Sequence, residues 1–341
     1  MKEIYLLGIS RWKERRLKPF FPNSELIFIK SVDEIKSVMV WGNEEIDNDI
    51  DICRIEDGFI RSVSLGVDFS QPYSLIIDRE GIYFNATKES DLENILNNYN
   101  FTPELQDRAN RVKNYLVENR ISKYNIYKDR EITLNIDSSK KVLLVIGQVE
   151  GDASLVYGAD SMKNIELLQS VYSSNSNSYI IYKPHPDVLN GNRLGNIEDI
   201  EVLKYCNRIE KEVSIDTLLS ISDEVHTMTS LVGFEALLRD KKVVCYGIPF
   251  YAGWGLTIDM MECKRRKREL NISELIAEAY ILYPKYIDPL TLKECEIERV
   301  LEQLAIEKEL YHNSLLYQIK VKVKNFIYIK YYALLRHILK D

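Results

Sequence analysis

Short apolar runs separated by polar connectors set the rhythm of the first half of this chain. Ile4–Leu7, Leu26–Phe28, Val38–Trp41, Ser74–Ile77 and Ile82–Phe84 carry β-branched and aromatic content. Such runs predict buried strands, and the helically spaced stretches between them predict crossover helices. From Asp91 to about Asp129 the pattern turns helical, with DLENIL behind Ser90 as a cap and then LQDRANRVKNYLVENR. The polar stretch YNIYKDREITLNIDSSK reads as the link between halves.

The second half repeats the rhythm. Lys141–Ile146, KVLLVI, runs into a glycine and predicts a central parallel strand. Tyr179–Tyr182, Glu201–Leu203, Glu224–His226 and Lys242–Tyr246 follow as further strands, with room for helices between them. The expected fold is α/β: two Rossmann-like doubly wound domains facing across a cleft, residues 1–130 and 131–300, with a helical tail over 301–341.

Composition narrows the class. At 341 residues the chain is long enough for two domains, and 45% apolar with 28% charged residues excludes disordered, collagen-like and membrane-spanning types. The apolar stretch Ile4–Ile9 is too short, and too soon followed by charge, for a signal peptide, so a cytoplasmic protein is expected. Five widely spaced cysteines with no CxxC pair suggest neither a disulfide framework nor a zinc site. A formal charge of −7 disfavours nucleic acid as a partner. The run Lys264–Arg268 and the segment Tyr311–Asp341 are locally basic, which leaves acidic partners open there.

Ligands of doubly wound sheets bind beyond the carboxyl ends of the strands, so the residues after each run are the ones to inspect. After KVLLVI, a glycine-flanked turn presents Glu150 and Asp152, although capping the next helix explains such acids equally well. After the next run, Pro184 and Pro186 fix the backbone around His185, which with Lys183 forms a donor pair for a phosphate or carboxylate. Thr227, Thr229 and Ser230 stand where a helix begins, an arrangement suited to an anion or simply to capping. Gly247–Thr257 is rich in glycine and aromatics, as for a base or sugar pocket or a lid. In the first half, Glu56 and Asp57 lie between Arg54 and Arg61. In isolation a surface ion-pair cluster is the simpler reading, but opposite Asp152 the acids suit retaining glycosyl transfer, which needs a carboxylate nucleophile and a base.

Taken in order, EDGFIRS, PYSLIIDREGIYFNA, SKYN, GQVEGDAS, YKPHPDV with GNR, HTMTSLVGFEALLR and GIPFYAGWGLT resemble the KpsC/LipB-type capsule polysaccharide proteins, over about residues 1–300. The resemblance implies a GT-B-like, retaining β-Kdo transferase using CMP-β-Kdo, with the first domain on the acceptor side and the second holding the CMP-sugar. It implies Asp152 as nucleophile, Glu56 as base for the acceptor hydroxyl, and Glu150 as the neighbour that tunes Asp152. Lys183 and His185 would hold the phosphate or donor carboxylate, and Thr227, Thr229, Ser230 and Gln148 would complete the substrate site. Arg61 and Arg193 would meet acceptor or sugar carboxylates. No cofactor or metal is implied. The family's best-known arrangement sets two such modules in tandem, and this sequence holds one, so another ulosonic acid or a glycerophosphotransferase reaction stays open as an alternative, as does a non-catalytic scaffold. Expected partners are the donor, a glycan or glycolipid acceptor and other capsule-assembly enzymes.

The segment Tyr311–Asp341 interleaves apolar and aromatic residues with Lys320, Lys322, Lys324, Lys330, Arg336 and Lys340. A basic amphipathic helix of this kind lies on an anionic membrane surface or packs back on the domains.

Overall fold

The computed structural model describes residues 2–32, 35–46, 50–63, 71–123, 125, 132–134, 136–137, 139–189, 193–321, 323, 327 and 330. Most of the expected link at 124–140, including the boundary at 130, and the end of the basic segment after residue 330 lie outside these. Among the described residues the fold is mixed α/β with two sheets.

The first sheet is built from β1 (Lys2–Leu7), β2 (Ser24–Ile29), β3 (Ser37–Trp41), β4 (Asp51–Asp57) and β5 (Ser74–Asp78). β1 pairs in parallel with β2 and β3, β3 with β4 in parallel, and β5 runs antiparallel to β4. β4 is not an apolar run, because charged residues enter it at Asp51, Arg54, Glu56 and Asp57. Ile82–Phe84, expected as a strand, lies in a turn region: Asn85 N–H closes back on Ile82 O at 2.9 Å, and among the described residues it joins neither sheet.

The second sheet contains β6 (Val142–Ile146), β7 (Tyr179–Lys183), β8 (Arg208–Ile209), β9 (Glu224–Thr227), β10 (Lys242–Cys245) and β11 (Ile258–Asp259). Its spatial order is β11-β10-β9-β6-β7-β8, with every pairing parallel. Successive strands are thus laid to one side of β6 and then to the other, the doubly wound pattern. β6 is buried at every position, as expected of a strand covered on both faces. Glu201–Leu203, expected as a strand, belongs to the helix Asp199–Val202 and its cap. Its apolar side chains are too few to show a period, and only Val202 is buried.

The chain then returns. β12 (Pro284–Ile287) runs antiparallel to β5, and β13 (Glu294–Cys295) antiparallel to β12, so both extend the first sheet. The expected boundary at 300 assigns these residues to the second sheet, which they do not join. Three residues of the basic run are engaged within the molecule: Arg265 and Arg266 hold the buried Glu93 at 2.6 and 3.1 Å, and Arg268 pairs with Glu274 at 2.8 Å. Lys264 and Lys267 of the same run are exposed. Phe59, just past β4, stacks on Phe250, past β10, with ring centroids 4.6 Å apart. One buried cluster joins Phe59 and Ile60 to Leu144, Ile146 and Phe234, so residues of both sheets share a core.

Candidate active site

A cavity of about 510 Å³ is lined by residues that follow strands of both sheets. From the second sheet come Gln148, Asp152, Ser154, Lys183, His185, Thr229 and Ser230, with Arg193; from the first come Trp41, Glu56 and Asp57.

The turn after β6 sits where the strand order reverses, next to the end of β9. Gln148 is buried and bridges the two ends: its Oε1 accepts the main-chain N–H of Thr229 at 2.8 Å, and its Nε2 donates to Thr229 Oγ1 at 2.9 Å. The hydroxyl of Thr229 donates on to Ser154 Oγ at 3.0 Å, and Ser154 Oγ to Asp152 Oδ1 at 2.8 Å. A chain of hydrogen bonds therefore runs from the strand ends to the Asp152 carboxylate. Gly151 permits the turn with φ +82°, a conformation disfavoured for side chains with a Cβ. Asp152 is exposed and also caps the helix Ala153–Gly158. Glu150 turns elsewhere: its Oε1 accepts from Asn164 N–H at 3.0 Å, and it does not line the cavity. Only one of the turn's two acids is therefore presented to the cavity.

Lys183 and His185 both border the cavity. Lys183 Nζ donates to the carbonyl of Lys211 at 2.9 Å, and burial brings its pKa down to about 8 despite Glu210 and Glu212. His185 Nδ1 accepts the N–H of Asp187 at 3.1 Å, which leaves Nε2 as the protonated nitrogen of the neutral ring. Burial lowers its pKa, against the pull of Asp187 and Asp152, so the ring is neutral near pH 7. Thr229 and Ser230 line the cavity, whereas Thr227 is fully buried, its Oγ1 accepting from Ser230 N–H at 3.2 Å. Thr227 shapes the turn and does not reach the cavity.

On the first sheet, Glu56 is the penultimate residue of β4 and lines the cavity. Burial and the adjacent Asp57 push its pKa up to about 7, although the N–H of Asp57 donates to its Oε1 at 3.0 Å. Arg61 is turned inward: it is buried, binds Asp57 Oδ2 at 2.6 Å and does not line the cavity. Asp57, four residues earlier, thus takes this guanidinium as its partner. Sequence reasoning passed over Trp41, which lines the cavity and carries Lys13 Nζ 3.2 Å from its ring centroid. Its place at the end of the Val38–Trp41 run was the available signal. Ser154 and Lys123 were also passed over as site residues, although each lay within a quoted motif.

Comparison with known proteins agrees with the motifs. Residues 43–286 match the family described as "Capsule polysaccharide biosynthesis protein". The chain is 44% identical over 330 residues to "Capsule polysaccharide modification protein LipA" of Neisseria meningitidis serogroup A, covering 92% of this chain and 47% of that protein. It thus spans about half the length of that relative. It is 36% identical over 328 residues to "Lipopolysaccharide-processing protein LpsZ" of Rhizobium meliloti, covering 89% of this chain and 74% of that one. Among solved structures, the "beta Kdo 2,4 transferase" of Thermosulfurimonas dismutans KpsC superposes with a TM-score of 0.80 at 33% identity, over 89% of this chain and 98% of that chain. The "beta Kdo 2,7 transferase" of the same KpsC gives 0.75 at 37% identity, over 90% and 100%. Taken with the ordered motifs, these matches show that the chain belongs to the capsule polysaccharide biosynthesis proteins of the KpsC/LipB type.

Proposed function

We propose that this chain is a retaining glycosyltransferase that moves Kdo from CMP-β-Kdo to a glycan or glycolipid acceptor, with a GT-B-like division into an acceptor-side first sheet and a donor-side second sheet. The observation that carries the reading is that Asp152 and Glu56, from different sheets, border one cavity. Similarity to the KpsC Kdo transferases, with TM-scores of 0.80 and 0.75, supports Kdo as the sugar moved.

In the reading, an Asp152 carboxylate oxygen attacks the anomeric carbon as the bond to CMP breaks, leaving the sugar on Asp152 and the electron pair on the phosphate. His185 Nε2–H and Lys183 stabilise that phosphate, since a neutral imidazole and an ammonium both donate to an anion in a shielded site. Glu56 then takes the proton of the acceptor hydroxyl, whose oxygen displaces Asp152 from the opposite face; two inversions give net retention. Thr229 and Ser230 remain as donor-side contacts and Arg193 as a sugar-carboxylate contact. Glu150, Thr227 and Arg61 serve as supports for the turn, the strand end and Asp57.

The test is a donor panel. The chain incubated with CMP-Kdo and with a CMP-activated sialic-type sugar, with product linkage read by NMR, should transfer Kdo with retained configuration. Transfer of only the other sugar, or binding of CMP with no turnover of any donor, contradicts the reading.

A further inference from the structure

Trp41 is the last residue of β3 and stands in register with Ile55 of β4, where the N–H of Gly42 donates to Ile55 O at 2.9 Å. Glu56 follows Ile55, so the indole and the carboxylate leave neighbouring strand ends and border one cavity. Gly42 keeps the two close: its φ is +67°, and a Cβ at this position would lie 3.7 Å from Glu56 Oε2 and 3.9 Å from Phe84 Cζ. Glu56 Oε1 accepts the N–H of Asp57 at 3.0 Å, and Oε2 is left to meet a substrate proton.

Trp41 is half-buried, with Lys13 Nζ over its ring, 3.2 Å from the centroid. That ammonium also stands 5.7 Å from the ring centroid of Trp12, and burial brings its pKa down to about 8 against the pull of Glu56 and Asp57. Lys13 does not border the cavity. A cation thus backs the indole and holds its plane, while the ring itself faces the cavity. Tyr83 and Phe250 border the same space but pack their rings on Phe59, at 4.8 and 4.6 Å. An aromatic surface carries negative charge on its face and suits weakly positive C–H groups. A pyranose offers such groups on one face and hydroxyls around its rim, which matches an indole beside one carboxylate oxygen.

We infer that Trp41 is the platform for the acceptor, a pyranose ring that stacks its C–H face on the indole and thereby brings a rim hydroxyl to Glu56 Oε2. Lys13 is a positioning residue that acts through the ring it holds. That the stacked sugar is an acceptor rests on the transfer reading, whereas the stacking itself does not.

The test is saturation-transfer NMR of the full chain with methyl glucopyranoside, the methyl glycoside of Kdo and octyl glucopyranoside as probes. Ring C–H protons of a methyl pyranoside should take up saturation, and Trp41→Ala should weaken that binding about tenfold or more. Trp41→Phe should retain most of it, Lys13→Ala should weaken it and Lys13→Arg restore it, with CMP affinity by calorimetry unchanged throughout. In transfer assays the loss in Trp41→Ala should fall on KM for the acceptor and leave KM for CMP-Kdo as it was. No saturation of either methyl pyranoside, or equal binding by the parent and Trp41→Ala, would overturn the inference, as would saturation confined to the octyl chain. Pyranoside binding at Trp41 with no turnover of CMP-Kdo supports the platform and removes the transfer reading; Kdo transfer with an acceptor KM untouched by Trp41→Ala does the reverse.

Discussion

Asp152 Oδ1 receives both the main-chain N–H and the hydroxyl of Ser154, at 3.0 and 2.8 Å. Helix cap and nucleophile, which look like rival roles in the sequence, are therefore compatible: Oδ1 holds the helix end and Oδ2 is not engaged by that cap. Asparagine keeps the capping oxygen and removes the charge. Asp152→Asn should thus fold with a melting temperature near that of the parent and show no transfer. Asp152→Ala should be inactive and also lose about 1 kcal/mol of stability in urea unfolding. Full activity in either variant removes the nucleophile assignment.

Ser154 relays the Gln148–Thr229 bridge to the nucleophile. Ser154→Ala cuts that chain without touching charge, leaving the carboxylate less firmly aimed. A hydrogen bond to a charged group of this kind corresponds to a loss of about 10- to 100-fold in kcat, with KM for the donor little changed. A change confined to KM would make Ser154 a binding residue instead.

Glu56 gives the reaction its pH dependence. As a base it must be ionised, so with a pKa raised to about 7 the rate should climb as pH rises toward 7 and level off above it. Stability should run the other way. Between the unfolded value of 4.5 and about 7 the folded state binds the extra proton, so this group makes stability fall with rising pH across that window. Glu56→Gln should abolish transfer and flatten that part of the stability profile. An active Glu56→Gln variant with an unchanged pH–rate curve contradicts the assignment.

His185 donates from Nε2 because the N–H of Asp187 occupies Nδ1. His185→Ala should weaken CMP binding about tenfold or more, the scale of a hydrogen bond to a charged group. Titration calorimetry reads this directly, and an unchanged affinity counts against a phosphate contact.

The parts of the fold legible in the sequence were those that burial writes plainly. Val142–Ile146 and Lys242–Cys245 are apolar through their buried positions, and both were expected as strands. β12 was not visible, since Pro284-Lys285-Tyr286-Ile287 is a strand only because β5 waits as its partner. The same limit applies to the site. Inspecting the residues beyond strand ends finds Asp152, Lys183 and His185, since chain position alone places them. Orientation is a different matter. Glu150 faces Asn164 and Arg61 faces Asp57, and each choice is made by a partner whose position the tertiary structure supplies.

The covalent step is open to direct measurement by mass spectrometry of the intact protein, followed by peptide mapping, after brief incubation with CMP-Kdo in the absence of acceptor. The account predicts a mass increase of one Kdo residue on the peptide that contains Asp152, absent in Asp152→Asn. A sugar found on a different side chain, or steady transfer with retained configuration by Asp152→Asn, would contradict it.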